Sequence, residues 1–234
     1  MADYQLYYWS GIPGRGEPIR LAFEEAGVAY DDVARGPEGN KVIARVLAGE
    51  LGGLKPFAPP VLKHGDVVVS HVAAILQYIA PRIGMVPDGE RERAAAHAIE
   101  LTITDFWLEM HDVHHPIAMS LYYEDQKPES KRRAKHLIEE RMPKYLGWFE
   151  QAISGDYVFG NTISYVDTSL FHTLAGVAFA FPRASARLAA TIPKLHALHD
   201  RVAARPRIAA YLASPRRTPF NNHDVFRHYP ELDD

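Results

Sequence analysis

Apolar and polar positions change their period twice along the chain. The opening "YQLYYW" alternates and is rich in aromatics, which predicts a short strand. "GEPIRLAFEEAG" then places Ile19, Leu21, Ala22, Phe23 and Ala26 on one side of a helix. Pro18 suits its first turn and Gly27 its C-terminal cap. "VAYDDV" predicts a second strand, and residues 38–50 a weaker helix. "PPVLKHGDVVV" predicts two strands joined at a tight turn over His64, Gly65 and Asp66. "HVAAILQYIA" predicts a helix closed by Pro81. After "GMVPDGE" the two-residue period vanishes and only helical patterns follow.

The first of these, "RERAAAHAIELTITDFWLEMHDVHH", is expected to run until Pro116. "PESKRRAKHLIEERMPKYLGWFEQAI" predicts a second helix kinked at Pro143, with "KRRAK" a solvated face. "SYVDTSLFHTLAGVAFAF" is apolar nearly all round, so it is expected at the centre, with Ser164 and Asp167 as a capping pair at its start. Two amphipathic helices and an irregular tail from residue 215 complete the chain. The predicted class is an α/β N-terminal domain (residues 1–83), a linker (84–91) and an all-α domain (92–234).

Composition narrows the chemistry. Of the 234 residues, 47% are hydrophobic and 24% charged, ordinary values for a globular chain. A net charge of −3 offers no basic field for nucleic acid or an anionic membrane, so neither is expected as a partner. No stretch approaches the ~20 apolar residues of a membrane span, and no signal pattern opens the chain; the expected location is the cytoplasm. The absence of cysteine excludes a protein thiol nucleophile. Any thiol chemistry must use a thiol brought by a substrate.

The order of these motifs is similar to that of the cytosolic glutathione transferases. Four stretches carry the likeness: "YYW...RGEPIRLAFEEAGVAY", "PPVLKHGDVVVSHVAAILQYI", "NTISYVDTSLF" and "RVAARPRIAAYLASP". The resemblance covers almost the whole chain and is nearest the tyrosine-type sigma and mu classes. It implies a thioredoxin-like domain followed by a helical bundle, with glutathione as co-substrate, a hydrophobic electrophile as second substrate, and a homodimer. The rival reading is a transferase-fold carrier with weak or lost glutathione activation.

The resemblance also assigns the first loop. "GIPGRGE" lacks the G-x-G-x-x-G spacing of a dinucleotide site. In the resembled family the loop holds the glutathione sulfur, and a hydroxyl aimed at it favours the thiolate. A free thiol titrates near 8.5; bringing it down by about two units takes roughly 2.7 kcal/mol. Tyr8 stands where the family's tyrosine stands; Tyr7 must point to the opposite face. Ser10 is the alternative donor, because the loop is one residue longer than the sigma pattern, and Arg15 is a candidate source of positive field.

Further along, the pattern departs. Pro60 matches the family's cis-proline, but the residue before it, which pairs with glutathione through both backbone groups, is Pro59 and has no N–H. The glutamine or glutamate and serine that hold the glutamyl group are replaced by His71 and Val72, with Ser70 one residue earlier as a substitute. Each lost hydrogen bond costs about 0.5–1.5 kcal/mol, so two weaken glutathione about tenfold to a hundredfold. Lys55 and Lys41 are candidates for the glycine carboxylate, and Asp105 for the glutamyl amine across a dimer. Trp107, Met110, His111, His114 and His115 are expected around the second-substrate pocket. His111 and His115 share a helix face, but with no third ligand evident in the sequence no metal is expected.

Overall fold

The computed structural model of the chain describes residues 2–233. Four strands form one mixed sheet: β1 (Tyr4–Tyr7), β2 (Tyr30–Asp32), β3 (Val61–His64) and β4 (Val67–Ser70), in the order β2-β1-β3-β4. β2 runs parallel to β1, while β1 with β3 and β3 with β4 are antiparallel. Helix α1 (Glu17–Ala26) supplies the crossover that a parallel pair needs. α2 (Lys41–Ala48) and α3 (Val72–Ile83) complete the α/β part.

Strand alternation sorts the two faces. Leu6 and its partner Leu62 belong to the large core shared with α1 and α3. Tyr7 and its partner Val61 belong to a smaller core on the α2 side, with Val42, Ile43 and Val46. Tyr8, the next residue, therefore turns the other way, toward the first loop.

Among the described residues seven α-helices follow: α4 (Glu90–Asp112), α5 (Lys127–His136), α6 (Met142–Ala152), α7 (Tyr165–Ala180), α8 (Pro182–Leu188), α9 (Pro193–Ala203) and α10 (Pro206–Leu212). α7 packs on α1, α4, α8 and α9, the central place that its all-round apolar sequence demands. The Ser164 N–H and Oγ–H donate to Asp167 Oδ2, both at 2.7 Å, and the Val158 N–H donates to Oδ1 at 2.8 Å.

Several boundaries differ from the sequence expectation. α3 runs past Pro81 to Ile83, because a proline in the last turn forfeits only one helical bond; Gly84, in the left-handed region, ends it. α4 starts at Glu90, inside the stretch expected as linker, and stops at Asp112, four residues before Pro116. Between α5 and α6 the single expected helix widens into a π turn (Leu137–Arg141) immediately before Pro143. There the widened turn accommodates the proline ring, which has no N–H to give. No helix among the described residues is long and apolar enough to cross a membrane.

Candidate functional site

A cleft of about 430 Å³ opens where the first loop, the β3 entry, the start of α3 and the end of α4 meet. Its walls include Arg15, Pro59, Pro60, Ser70, His71 and Val72, all brought together as the sequence expects, with His111 opposite them. Phe57, Leu108 and Met119 add apolar surface that the sequence reading did not single out.

The Pro59–Pro60 bond is cis. The Pro60 carbonyl accepts the His71 N–H at 3.1 Å, which ties the β3 entry to the start of α3. His71 is the N-cap of α3 and has a φ of 78°, unusual for a residue with a side chain. Its ring Nδ1 accepts the Ala73 N–H at 3.3 Å. Burial, then the charge of Arg15, lowers its pKa, so the ring stays neutral to lower pH than an ordinary histidine and Nδ1 remains an acceptor for the Ala73 N–H. Ser70 closes β4 opposite Val61, and Val72 is fully buried in the first turn of α3.

Tyr8 is buried beneath the turn that carries Arg15, and its hydroxyl oxygen accepts the Arg15 N–H at 2.9 Å. Its own O–H proton remains available for donation. Burial foremost, and then the charge of Asp224, holds the phenol well above its usual pKa, so the ring keeps that proton. The turn demands glycine at position 14: φ is +42°, and a Cβ there would stand 2.2 Å from the Tyr8 oxygen and 2.7 Å from Asp224 Oδ1. Ser10 lies elsewhere. Its N–H and Oγ–H both donate to Asn40 Oδ1, at 3.0 and 3.2 Å, and neither it nor the buried Tyr8 is among the cleft residues.

Other expected residues are dispersed. Lys55 and Asp105 are exposed and outside the cleft. Trp107 and Met110 are buried in the core instead of lining the pocket, and Trp107 faces α7, with its Nε1–H donating to Thr173 Oγ1 at 2.9 Å. Leu108 and His111, on the other side of the same turns, take the pocket-facing places. His114 is buried behind His111, and His115 is half-buried beside it.

The sequence reading missed Asp224. It lies in the irregular tail, 210 residues from Gly14, whose N–H donates to its carboxylate at 2.9 Å. The same tail donates from Asn221 Nδ2 to the Gly11 carbonyl at 3.0 Å. No local pattern could announce a contact of that sequence separation.

A four-stranded sheet of this order, a cis-proline facing a helix N-terminus and an appended helical bundle define a thioredoxin-like glutathione-binding architecture. A family profile described as "Glutathione S-transferase, C-terminal domain" matches residues 111–215. The chain is 30% identical over 216 residues to glutathione S-transferase P 10 of Caenorhabditis elegans, covering 91% of each. It is 26% identical over 224 residues to hematopoietic prostaglandin D synthase of Gallus gallus, covering 93% of this chain and 99% of that one. The solved Pi-class glutathione S-transferase of Onchocerca volvulus superposes with a TM-score of 0.69 at 21% identity, covering 89% of this chain and 91% of the other. The chain belongs to the glutathione S-transferase family. It is a transferase, and glutathione is its co-substrate.

Proposed function

We propose that the cleft seats glutathione with its sulfur toward the first loop, and that Tyr8 and Arg15 favour the thiolate. Residues 1–83 then form the glutathione-binding domain, 84–91 the connector and 92–234 the domain that contributes the electrophile pocket. The carrying observation is the convergence of Arg15, Pro59, Pro60, Ser70, His71 and Val72 on one cleft, with the Tyr8 oxygen one hydrogen bond behind Arg15. The free N–H groups at the start of α3 suit the glutamyl carboxylate. Ser70 stands beside them in place of the family's serine. Pro59 offers its carbonyl alone to the tripeptide backbone. The motif order favours a sigma- or mu-like tyrosine class, and Leu108, Met119 and Phe57 give the apolar wall that a hydrophobic electrophile needs.

Once the thiolate is formed, it attacks the electrophile carbon. The sulfur–carbon bond forms as the electrophile's leaving group departs with its electron pair, or as an activated double bond accepts the pair. Tyr8 keeps its proton throughout and only donates a hydrogen bond. We place this chemistry in a cytoplasmic homodimer, by analogy with the resembled family.

The carrier reading has its own observation: Val72 is fully buried and has no hydroxyl, and Pro59 has no N–H, so two family contacts are missing. Calorimetry separates the two readings. The enzyme reading expects glutathione to bind with a dissociation constant in the micromolar to millimolar range. No heat and no thermal shift at 10 mM, about ten times a 1 mM constant, sinks it in favour of the carrier.

A further inference from the structure

Helix α4 ends at His111 and Asp112 and the chain continues as V-H-H, and folding adds to the His111–His115 pair what linear spacing leaves out. Beyond Asp112 the chain tightens, with the His114 N–H donating to the His111 carbonyl at 3.2 Å. Three imidazoles then face one another, with ring centroids 4.7, 5.0 and 4.9 Å apart. One nitrogen from each lies within 4.8 Å of the other two. We propose that His111, His114 and His115 bind one divalent transition-metal ion of the zinc type at the wall of the substrate cleft.

The hydrogen bonds fix which lone pairs are free. A carbonyl only accepts, so His114 carries its proton on Nε2, which donates to the Val225 carbonyl at 3.1 Å. Its Nδ1 is buried without a hydrogen-bond partner, an unsatisfied acceptor that a metal ion would satisfy. His115 likewise donates from Nδ1 to the Leu121 carbonyl at 3.0 Å, which leaves Nε2 free. His111 Nδ1 lies 3.7 Å from Asp112 Oδ1, and its Nε2 is the other available nitrogen. One nitrogen held by an oxygen acceptor and the other presented is the usual arrangement around a metal-bound histidine.

Charge is mixed at this spot. The C-terminus of α4 presents the negative end of its dipole, and Asp112 adds a carboxylate. Arg15 and Arg227 oppose a cation: Arg15 acts on His111, and Arg227 acts on all three rings. An all-imidazole set selects zinc, copper, nickel or cobalt over calcium and magnesium, which require oxygen ligands. Zinc–nitrogen bonds of about 2.0–2.1 Å at tetrahedral angles hold nitrogens roughly 3.3 Å apart. The rings therefore draw together on binding, chiefly by rotation of the half-buried His111 and His115. Three protein ligands leave a fourth position. Because His111 lines the cleft, that position is offered to a hydroxyl, carbonyl or carboxylate of the second substrate.

Cobalt(II) titration of the untagged full-length protein, followed by visible absorption and equilibrium dialysis, tests the site. The expected result is one equivalent bound, with the intense bands of four-coordinate cobalt, and displacement by zinc. His111→Gln and His115→Gln, each checked for folding by circular dichroism, should weaken binding by more than the ~10- to 100-fold typical of an outer-shell change. His199→Gln, on α9 away from the cluster, should leave binding unchanged. Binding well below one equivalent overturns the proposal. So does an affinity that survives in both cluster variants or falls equally in His199→Gln.

Discussion

Among single residues, Glu100 is a buried carboxyl outside the cleft with a direct consequence for stability. It is fully buried on α4, and neither carboxylate oxygen has a hydrogen-bond partner. Burial pushes its pKa up to about 8, with only the nearby Ser169 hydroxyl opposing the shift. The folded chain therefore holds a proton that the unfolded chain releases above about pH 4.5. This group's contribution to stability is full below that pH and is lost as pH rises through 8, at up to about 1.4 kcal/mol per pH unit. Glu100→Gln imitates the protonated acid and removes the dependence. Urea denaturation should show the variant gaining on the wild type by roughly 1 kcal/mol per pH unit between pH 5 and 8. Parallel pH profiles for the two proteins would contradict this account of Glu100. The buried histidines contribute equally to the two pH profiles, so the difference isolates the carboxyl.

Elements were legible wherever one local period dominates. The four strands and the helices at residues 17–26, 72–83 and 165–180 all stand where alternation and helical spacing put them. Their ends were less legible, because a proline's effect depends on what surrounds it. Pro81 sits in a last turn that already ends at Gly84, whereas Pro143 follows a π turn in mid-run. The candidate site was legible where the chain itself supplies neighbours: Pro59–Pro60 lead into β3 and Ser70–Val72 lead out of β4, and these two strands pair. It was not legible along α4. There Trp107 and Leu108 are adjacent in sequence but face the core and the cleft respectively, and only packing against α7 decides which. Neither did spacing show that His114, three residues after His111, would turn back into the same cluster.

At the scale of the whole molecule, two apolar features ask for a partner. Phe57 is fully exposed at the edge of the cleft, and Trp148 and Leu101 are exposed beside a groove of about 670 Å³ between α4 and α6. A two-fold dimer would cover both by seating the Phe57 region of each chain against the helical part of the other. Sedimentation should find a dimer at micromolar concentration and a shift toward monomer for Phe57→Ser; wild type that is only monomeric contradicts this arrangement. Within each chain the tail joins the two ends of the sequence, and Asp224 closes over the loop that holds Tyr8. The role proposed for this loop is to lower the pKa of a bound thiol, and titration of the thiolate absorbance of bound glutathione measures it directly. In the wild type the bound thiol should titrate about two units below its free value near 8.5. In Tyr8→Phe it should return toward that value, and conjugation at pH 7 should fall about tenfold to a hundredfold. A bound thiol that titrates at the same pH in wild type and Tyr8→Phe, but shifts in Ser10→Ala, would contradict the account and move the donor role to Ser10.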